Sequence, residues 1–450
     1  MIGSLPNKLR DALHKFRNDP QYGELVRTSF FALLVRISGV ITGFLVTLIT
    51  SRYFGADALG IVSICLAILS FSSVFGKLGL DVALMKYIAG FALTGNYRGI
   101  KGVYLEAMKI VLPFTLLISF ILYFMAPWMA NVFFHKPYLT NLLRINAFLA
   151  IPLVMLSLNS ECIRGLKKIS IYTFLQTVSV SLFATVLLIV ASFIIIGNEI
   201  PAMIQFISIF ISSIIGTLWW LKFSKFGDYK AEGEISTKDL ILTSSSMFTT
   251  TLMQLTMSWA GTLILAAYAS ETDVGIYNAL VRISVFTNIT ILAINSLAMP
   301  RFAESFAAKN FKLMKKHAEE AARLIFLTSL PLFFMLIAFP GWILSIFGKE
   351  FPGNESALYI LLAGQFIVCF SGLPSQILNM AGRQHILRNI AVISAIINVM
   401  CCFLLIPELG IKGACYAQLA GMFSWNLMSS ISVKRHFGFV VFFKFNLKNK

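Results

Sequence analysis

Long apolar stretches follow one another along the chain and are separated by short polar connections. About 20 apolar residues cross the hydrocarbon core as a helix, and only helices or closed barrels satisfy their backbone hydrogen bonds in lipid. Barrel strands would alternate apolar and polar residues, and these stretches do not. The pattern predicts twelve membrane-spanning helices, near residues 29–51, 58–80, 104–129, 142–163, 171–197, 200–221, 240–268, 274–297, 323–347, 356–379, 386–407 and 411–432.

The composition excludes a soluble globular protein. Hydrophobic residues make up 58% of the 450 residues, charged residues only 13%, and the mean hydropathy is +0.81. Soluble domains keep about a quarter of their residues charged. The first span follows 28 mostly polar residues and is too long for the core of a signal peptide, so we expect it to be retained.

The positive charges alternate between rich and poor connections. Lys and Arg concentrate in the N-terminal segment, in the connections after even-numbered spans, and in the tail. The opposite side carries only Arg52, Lys136, Arg144, Lys349 and Lys412. Because positively charged connections stay cytoplasmic, both termini are predicted to be cytoplasmic, which requires an even number of spans. The net charge of +17 is therefore mainly a topology signal, with contact to anionic lipids as a secondary effect, and not a sign of nucleic-acid binding.

The two halves of the chain resemble each other. Residues 53–61 follow the first span and residues 268–276 follow the seventh, with Gly60 and Gly275 separated by 215 positions. Two further landmarks recur at nearly the same separation, namely Pro127 with Pro340 and Gly165 with Gly382. Repeats of six spans enter the membrane in the same direction, so the halves are predicted to be parallel lobes with a substrate path between them.

This repeat predicts the domain organisation. The charged stretch between spans six and seven is the natural linker between the lobes. The predicted units are a cytoplasmic N-terminal segment, an N-terminal lobe, a cytoplasmic linker, a C-terminal lobe and a cytoplasmic tail, at 1–28, 29–222, 223–239, 240–433 and 434–450.

Arg36 lies inside the first span, where an arginine costs at least about 2.5 kcal/mol at the bilayer centre. At helical spacing it shares a face with Gly39, Gly43, Thr47 and Thr50, a small and polar stripe suited to a cavity wall. The alternative is that Arg36 extends to the cytoplasmic headgroups.

The seventh span carries Ser246, Thr250, Gln254 and Ser258 at every fourth position, with Trp259 beside them. Ser and Thr often bond back to their own helix or join helices together, but a glutamine near mid-membrane favours a wetted surface. The indole of Trp259 could stack on a sugar, or it could pack against lipid or protein.

Arg282 lies in the eighth span, one turn after Asn278. It could reach the headgroups, pair with Asp273, or project into a cavity. Asn398 adds an amide in the eleventh span. Two arginines and several amides with almost no acids predict a cavity that favours an anion.

The acids nearest the membrane in the N-terminal half are Asp81, Glu106 and Glu161. Each lies at a predicted cytoplasmic span end beside a base, so we interpret them as ion pairs at the interface. The corresponding bases are Lys77, Lys109 and Arg164.

Signatures of catalysis are missing from the sequence. It contains no GxxxxGK[ST], HExxH or GxSxG motif, and its five histidines are scattered. The six cysteines lie in or beside spans without a CxxC pair, so neither zinc nor a disulfide framework is predicted. A transporter without cofactor or metal is favoured over an enzyme, and the short connections count against a membrane glycan polymerase or ligase.

Several segments resemble the O-antigen or polysaccharide-unit flippases of the multidrug/oligosaccharidyl-lipid/polysaccharide exporter superfamily. Their order and spacing along the chain carry the resemblance. They run through nearly the whole chain. These segments are RYFGADALG at 52–60, LGLDVALMKYIA from 78, VGIYNA at 274–279, IFG at 346–348, LNMAG at 378–382 and LLIPELGIKGA at 404–414.

The resemblance implies a MATE-like, V-shaped all-α fold of two six-helix parallel repeats. It implies transport of an undecaprenyl-diphosphate-linked oligosaccharide from the cytoplasmic to the periplasmic leaflet of a bacterial inner membrane. Related lipid II flippases have an arginine in a setting similar to that of Arg36. Membrane lipids, a polysaccharide polymerase and a chain-length regulator are the implied partners. A cation-coupled multidrug exporter of the same superfamily is the alternative, although the membrane-embedded acid typical of that branch is missing.

Overall fold

The computed structural model describes residues 20–194, 197–225 and 237–441. Within these ranges the side chains of 20–30, 32, 237–239, 241–243, 245–247 and 296 are not described. The predicted N-terminal segment, linker and tail fall partly on residues 1–19, 226–236 and 442–450, which lie outside the described residues.

The first half of the chain, residues 20–225, forms the N-lobe. Two π-helical segments interrupt it, Met129–Phe133 after α3 and Phe174–Val178 between α5 and α6. The α-helices are α1 (Pro20–Lys77), α2 (Leu80–Leu93), α3 (Tyr97–Trp128), α4 (Leu139–Gly165), α5 (Ile169–Thr173), α6 (Ser179–Ser192) and α7 (Ile200–Phe223).

The second half, residues 237–441, forms the C-lobe. A short 3₁₀ segment, Phe286–Asn288, joins its second and third helices. The α-helices are α8 (Thr237–Tyr268), α9 (Glu271–Val285), α10 (Ile289–Ala307), α11 (Phe311–Ala338), α12 (Pro340–Phe347), α13 (Glu355–Ser371), α14 (Pro374–Met380), α15 (Gln384–Leu409) and α16 (Ile411–Phe437).

The helices account for the predicted membrane crossings. Eight helical stretches in the described part of the chain are long and apolar enough to cross a membrane, or nine if the bent pair α13 and α14 is one span. The stretch Leu33–Lys77 counts once among them, yet its 45 residues would extend about 65 Å, twice the thickness of the hydrocarbon core. It therefore holds two crossings, and the more polar α8 and α16 complete a set of twelve.

Gly55 divides α1 into its two crossings. Its backbone has φ 90° and ψ 168°, which is not helical and which an L side chain rarely adopts. The break falls between the predicted first and second spans, which end at 51 and begin at 58. A glycine here therefore allows the chain to reverse with almost no connecting loop.

One predicted span end is wrong, that of the ninth span, and the helices of the first and tenth spans differ from the prediction in length or shape. The first helix starts at Pro20, nine residues before the predicted span. The ninth span ends at Ala338, and Pro340 begins the separate helix α12, because proline has no N–H with which to continue a helix. The tenth span bends by 48° between α13 and α14, where Gly372 has φ 71° and Pro374 starts α14.

The two lobes meet through equivalent residues of the internal repeat. The Thr272 hydroxyl hydrogen-bonds the Asp57 carboxylate, and these positions are 215 apart, as are Gly60 and Gly275. A Cβ at Gly60 would lie 2.0 Å from the Glu271 carbonyl oxygen, and one at Gly275 would lie 2.0 Å from the Ala56 carbonyl oxygen. This reciprocity places a pseudo-two-fold axis between the lobes, so the parallel repeat is confirmed.

Candidate functional site

Charge distinguishes the two ends of the helical bundle. We call the end that carries the arginine- and lysine-rich connections the basic end, and the opposite end the sparse end. Arg52 and Lys349 line one cavity at the sparse end, and Lys136 contacts the same region of the lobe interface. The predicted ion pairs of the basic end are present, and this part of the prediction is confirmed. They join Lys77 to Asp81 at 2.6 Å, Lys109 to Glu106 at 2.8 Å and Arg164 to Glu161 at 3.3 Å.

Lys136 of the N-lobe binds the C-lobe at the sparse end. Its buried ammonium donates to the carbonyl oxygens of Ala266 and Ala269, each at 2.8 Å, and lies 3.9 Å from the Glu271 carboxylate. The Tyr138 hydroxyl hydrogen-bonds the same carboxylate. Burial lowers the pKa of the Lys136 amine, and the carboxylates of Glu271 and Asp273 oppose that shift.

Two further contacts reinforce this end. The Arg52 guanidinium donates to the carbonyl oxygens of Ser345 and Ile346 at 3.1 and 3.2 Å. The backbone N–H of Ala56 donates to the Glu350 carboxylate at 2.9 Å. We call the whole set of inter-lobe contacts, made by Arg52, Ala56, Asp57, Gly60, Lys136 and Tyr138 with the C-lobe, the sparse-end seam. The seam closes this end of the lobe interface.

The lobes also touch at the basic end, by different means. The rings of Phe75 and Phe248 meet edge to face with centroids 5.9 Å apart. A Cβ at Gly79 would lie 2.8 Å from the carbonyl oxygen of Ser244. These contacts bring the start of α8 against the junction of α1 and α2.

A central compartment of about 280 Å³ lies between the lobes. Both crossings of α1 contribute to it, as do α6, α7, α8 and α9. Arg282 is the one charged side chain among the described residues that line it. The lining residues are Gly43, Val46, Thr47, Leu59, Val62, Ser63, Leu66, Ser181, Gln205, Ser258, Trp259, Asn278, Val281, Arg282 and Val285.

The Arg282 guanidinium lies across the compartment against the first crossing. A Cβ at Gly43 would be 3.7 Å from its Nη1 atom, so a larger residue at position 43 would take space beside the guanidinium. Asp273, which the sequence offered as a possible partner, instead forms a capping box with Ser270 at the start of α9. Arg282 forms no hydrogen bond or ion pair with any other described residue. It is therefore a free cation facing a cavity.

Hydroxyl groups of this compartment donate to their own helices. Thr47 donates to the Gly43 carbonyl oxygen at 3.2 Å, Ser63 to Leu59 at 2.7 Å and Ser258 to Gln254 at 2.9 Å. Their oxygens keep lone pairs that can accept a hydrogen bond. Donors for a ligand come instead from Arg282 and from the amide of Gln205 and indole of Trp259.

A second compartment of about 370 Å³ lies within the C-lobe and shares Ser258 with the central one. We call it the C-lobe compartment. Its lining residues are Gln254, Met257, Ser258, Ile291, Asn295, Val368, Gly372, Leu373, Ser375, Gln376, Gln418, Met422, Trp425 and Asn426.

A third compartment of about 270 Å³ continues toward the basic end and shares Gln254, Ser375, Gln376 and Trp425 with the second. We call it the outer compartment. It is lined by Val82, Thr250, Thr251, Gln254, Ser375, Gln376, Asn379, Gln384, Leu387 and Trp425. The three compartments therefore adjoin one another in a row, which we call the path, and among the described lining residues Arg282 carries its only charge.

The structure brings most of the predicted site residues to this path. Thr47, Ser258, Trp259, Asn278 and Arg282 line the central compartment, and Thr250 and Gln254 line the others. The Asn278 amide is engaged, because it donates to Val274 and accepts from Thr262.

Two predicted residues are placed elsewhere, and the side chain of a third is not described. Arg36 lies seven residues before Gly43, about 10 Å nearer the basic end, and lines none of the three compartments. Asn398 is buried between α15 and α16, where it donates to the Ala417 carbonyl oxygen at 2.9 Å. The side chain of Ser246 lies outside the described ones.

Several cavity residues were missed from the sequence, among them Gln205, Gln376, Gln418 and Trp425. Gln205 and Gln418 are amides within predicted spans, so their depth in the membrane was a usable signal. Gln376 and Trp425 gave no such signal, because only the bend between α13 and α14 and the packing of α16 show that both face the same cavity.

Comparison with protein families gives two overlapping matches. A family model described as "Polysaccharide biosynthesis protein" matches residues 25–306, and one described as "MatE" matches residues 246–404. Two archaeal proteins are similar over most of the chain. An uncharacterized membrane protein of Methanocaldococcus jannaschii is 25% identical over 80% of this chain and 75% of its own length. A probable low-salt glycan biosynthesis flippase of Haloferax volcanii is 22% identical over 88% of this chain and 80% of its own length.

Solved structures share the fold. A multidrug resistance MATE family transporter of the MOP superfamily, in an inward-facing conformation, superposes with a TM-score of 0.73 at 14% identity, covering 90% of this chain and 98% of that one. A MOP superfamily transporter from Pyrococcus furiosus gives 0.64 at 16% identity, covering 95% and 98%. At these identities the likeness establishes the architecture, the twelve-helix fold of MATE transporters.

Proposed function

Because this chain belongs to the polysaccharide biosynthesis protein family, we propose that it is a flippase for a lipid-linked oligosaccharide. The proposed substrate is an undecaprenyl-diphosphate-linked repeat unit of O-antigen or another surface polysaccharide. The protein would carry the headgroup from the cytoplasmic to the periplasmic leaflet of the bacterial inner membrane. The name of the Haloferax volcanii relative, a glycan biosynthesis flippase, supports this class of substrate.

The observation that carries the proposal is the free guanidinium of Arg282 in the central compartment. A cation that lines a cavity without a protein partner can pair with an anionic ligand, and a diphosphate is the anion that every undecaprenyl-linked sugar presents. The guanidinium can bind phosphate oxygens through two parallel hydrogen bonds. Because position 43 is glycine, no side chain from the first crossing occupies the space beside the guanidinium. The polyprenyl chain would remain in lipid while the headgroup occupies the path.

The positions of the seam and the compartments support a direction of transport. Under the positive-inside rule the basic end is cytoplasmic, so the outer compartment lies on the cytoplasmic side and the sparse-end seam on the periplasmic side. The closed seam then corresponds to a state that receives substrate from the cytoplasm. Release would require the lobes to separate along the seam and to close further at the basic end, where Phe75 already meets Phe248. This is the motion expected for alternating access between parallel repeats. The polymerase and chain-length regulator that consume such units are proposed partners.

Multidrug export is the second candidate, because the MatE family model matches residues 246–404. A lipophilic cation would be favoured by an acid in the cavity. Among the described residues, the lining of all three compartments contains no acid and one arginine. The charge of the path therefore favours the flippase.

A depletion experiment in the source cells separates the two candidates. Removing the protein should cause lipid-linked units to accumulate on the cytoplasmic leaflet and should stop the corresponding surface polysaccharide, with restoration by the plasmid-borne gene. Susceptibility to lipophilic cations such as rhodamine 6G should not change. Unchanged surface polysaccharide together with raised susceptibility to those cations would support the exporter and overturn the flippase.

A further inference from the structure

The C-lobe and outer compartments differ chemically from the central one. Their described lining residues include Gln254, Asn295, Gln376, Gln418 and Trp425 but no charged side chain. A carboxylate or sulfate would have no cation to pair with there, and an ammonium would have no acid. The compartments are therefore suited to an uncharged polar ligand.

The amides of this region are available for binding. The side chains of Gln254, Gln376 and Gln418 face the cavity and form no hydrogen bond with another described residue. The Oδ1 atom of Asn295 is buried and likewise has no partner in the described part of the chain. Each primary amide offers two donors and an acceptor, the combination that hydroxyl and N-acetyl groups require. Because these amides reach the cavity and have no protein partner among the described residues, they suit a ligand with many hydrogen-bonding groups.

Trp425 supplies an apolar surface at the same place. Its half-buried indole lines both the C-lobe and the outer compartment. A sugar ring has an apolar C–H face and a polar rim of hydroxyl groups, so it can contact the indole while amides bind the rim. An aromatic ring among unpartnered amides is more specific for a carbohydrate than for a purely apolar tail.

The geometry of α8 links this region to Arg282. Ser258 lines the central and C-lobe compartments, Gln254 lines the C-lobe and outer compartments, and Thr250 lines the outer one. These residues are four apart and so follow one face of the helix over about 12 Å. A headgroup with its phosphates at Arg282 would extend its sugars along this face toward the basic end.

We infer that the C-lobe and outer compartments form a binding site for uncharged sugar residues, with Gln376, Gln418 and Trp425 as specificity-determining contacts. This inference rests on the proposed function and assigns the two parts of the substrate to different residues. Arg282 binds the diphosphate, which is common to all undecaprenyl-linked glycans. The C-lobe site selects neutral sugars next to the diphosphate over sugars that carry carboxylates.

Binding to the full chain in lipid nanodiscs tests the inference. The probes are undecaprenyl diphosphate, the same lipid bearing a neutral N-acetylhexosamine-containing trisaccharide, and an analogue in which the first two sugars are hexuronic acids. The wild-type protein should bind the neutral glycolipid about tenfold or more tightly than undecaprenyl diphosphate, and more tightly than the uronic analogue. That margin corresponds to one or two hydrogen bonds.

Gln376→Leu, Gln418→Leu and Trp425→Leu should each weaken binding of the neutral glycolipid about tenfold and leave binding of undecaprenyl diphosphate unchanged. The matched control is Asn389→Leu, which removes an exposed amide of α15 outside the three compartments. This variant should change neither affinity. The unchanged affinity for undecaprenyl diphosphate also shows that each variant is folded.

Each other result has a definite meaning. If the wild type binds undecaprenyl diphosphate and the neutral glycolipid equally well, or prefers the uronic analogue, the sugar site is wrong while the flippase proposal stands. If the three variants weaken both probes equally, the residues are structural and the sugar site is again wrong. If the wild type binds none of the three lipids, the proposed function itself fails, and the inference fails with it.

Discussion

Replacing Arg282 with glutamine is expected to abolish surface polysaccharide production at normal protein levels. The variant keeps a polar, shorter side chain and removes the one charge that lines the described path. Hydrogen bonds to charged groups contribute about 1.5–3 kcal/mol, so affinity for a diphosphate should fall by roughly 10- to 150-fold. The change is measured as the amount of surface polysaccharide and as binding of undecaprenyl diphosphate to the purified protein.

Two further variants make this result specific. Arg282→Lys keeps the charge but cannot form the bidentate pair, so partial activity is expected. Arg323→Gln, on an exposed part of α11 outside the compartments, should retain wild-type activity. Wild-type polysaccharide with Arg282→Gln would show that the diphosphate is bound elsewhere, and Arg36 would then be the arginine to examine.

Cross-linking the lobes at the sparse-end seam is expected to stop transport almost completely. Asp57 and Thr272 face each other on the pseudo-two-fold axis, so Asp57→Cys and Thr272→Cys together place two thiols within reach of a short bifunctional reagent. A reagent with a reducible disulfide within its spacer should block flipping, and reduction should restore it. Binding of undecaprenyl diphosphate from the cytoplasmic side should persist in the cross-linked protein, because the seam lies on the other side of the path.

The single-cysteine variants treated with the same reagent are the controls and should remain active. The six native cysteines are replaced by alanine in all of these proteins, so that only the seam reacts. Full flipping by a protein shown to be cross-linked would contradict alternating access through this seam.

The sequence predicted the architecture because the relevant signals are periodic and additive. Span length, charge alternation and the repeat around Gly60 and Gly275 each depend on many residues, so errors at single positions do not alter the result. The end of the ninth span and the bend of the tenth were not predicted, because the turn after Ala338 and the bend near Gly372 depend on local backbone geometry.

The sequence could predict which helix faces carry site residues, but not which residues of a face line the cavity. The stripe of the first crossing contains Gly43 and Thr47, which line the cavity, but also Gly39, whose Cα packs against the backbone of Thr177. Small residues serve close helix packing and cavity walls equally well, and Asn398 shows the same ambiguity for amides. Gln376 lies just beyond a bend, so its helical phase relative to the preceding helix could not be read from the spacing of residues.

Reconstituted flipping tests the central claim most directly. The purified full chain is placed in vesicles with a fluorescent undecaprenyl-diphosphate trisaccharide, and the fraction of headgroups accessible to a membrane-impermeant quencher is followed over time. We predict that the wild-type protein makes the protected fraction accessible, that Arg282→Gln vesicles behave like protein-free vesicles, and that Arg323→Gln vesicles behave like wild type. If wild-type vesicles match protein-free vesicles, while the same preparation transports lipophilic cations, the chain is an exporter and not a flippase.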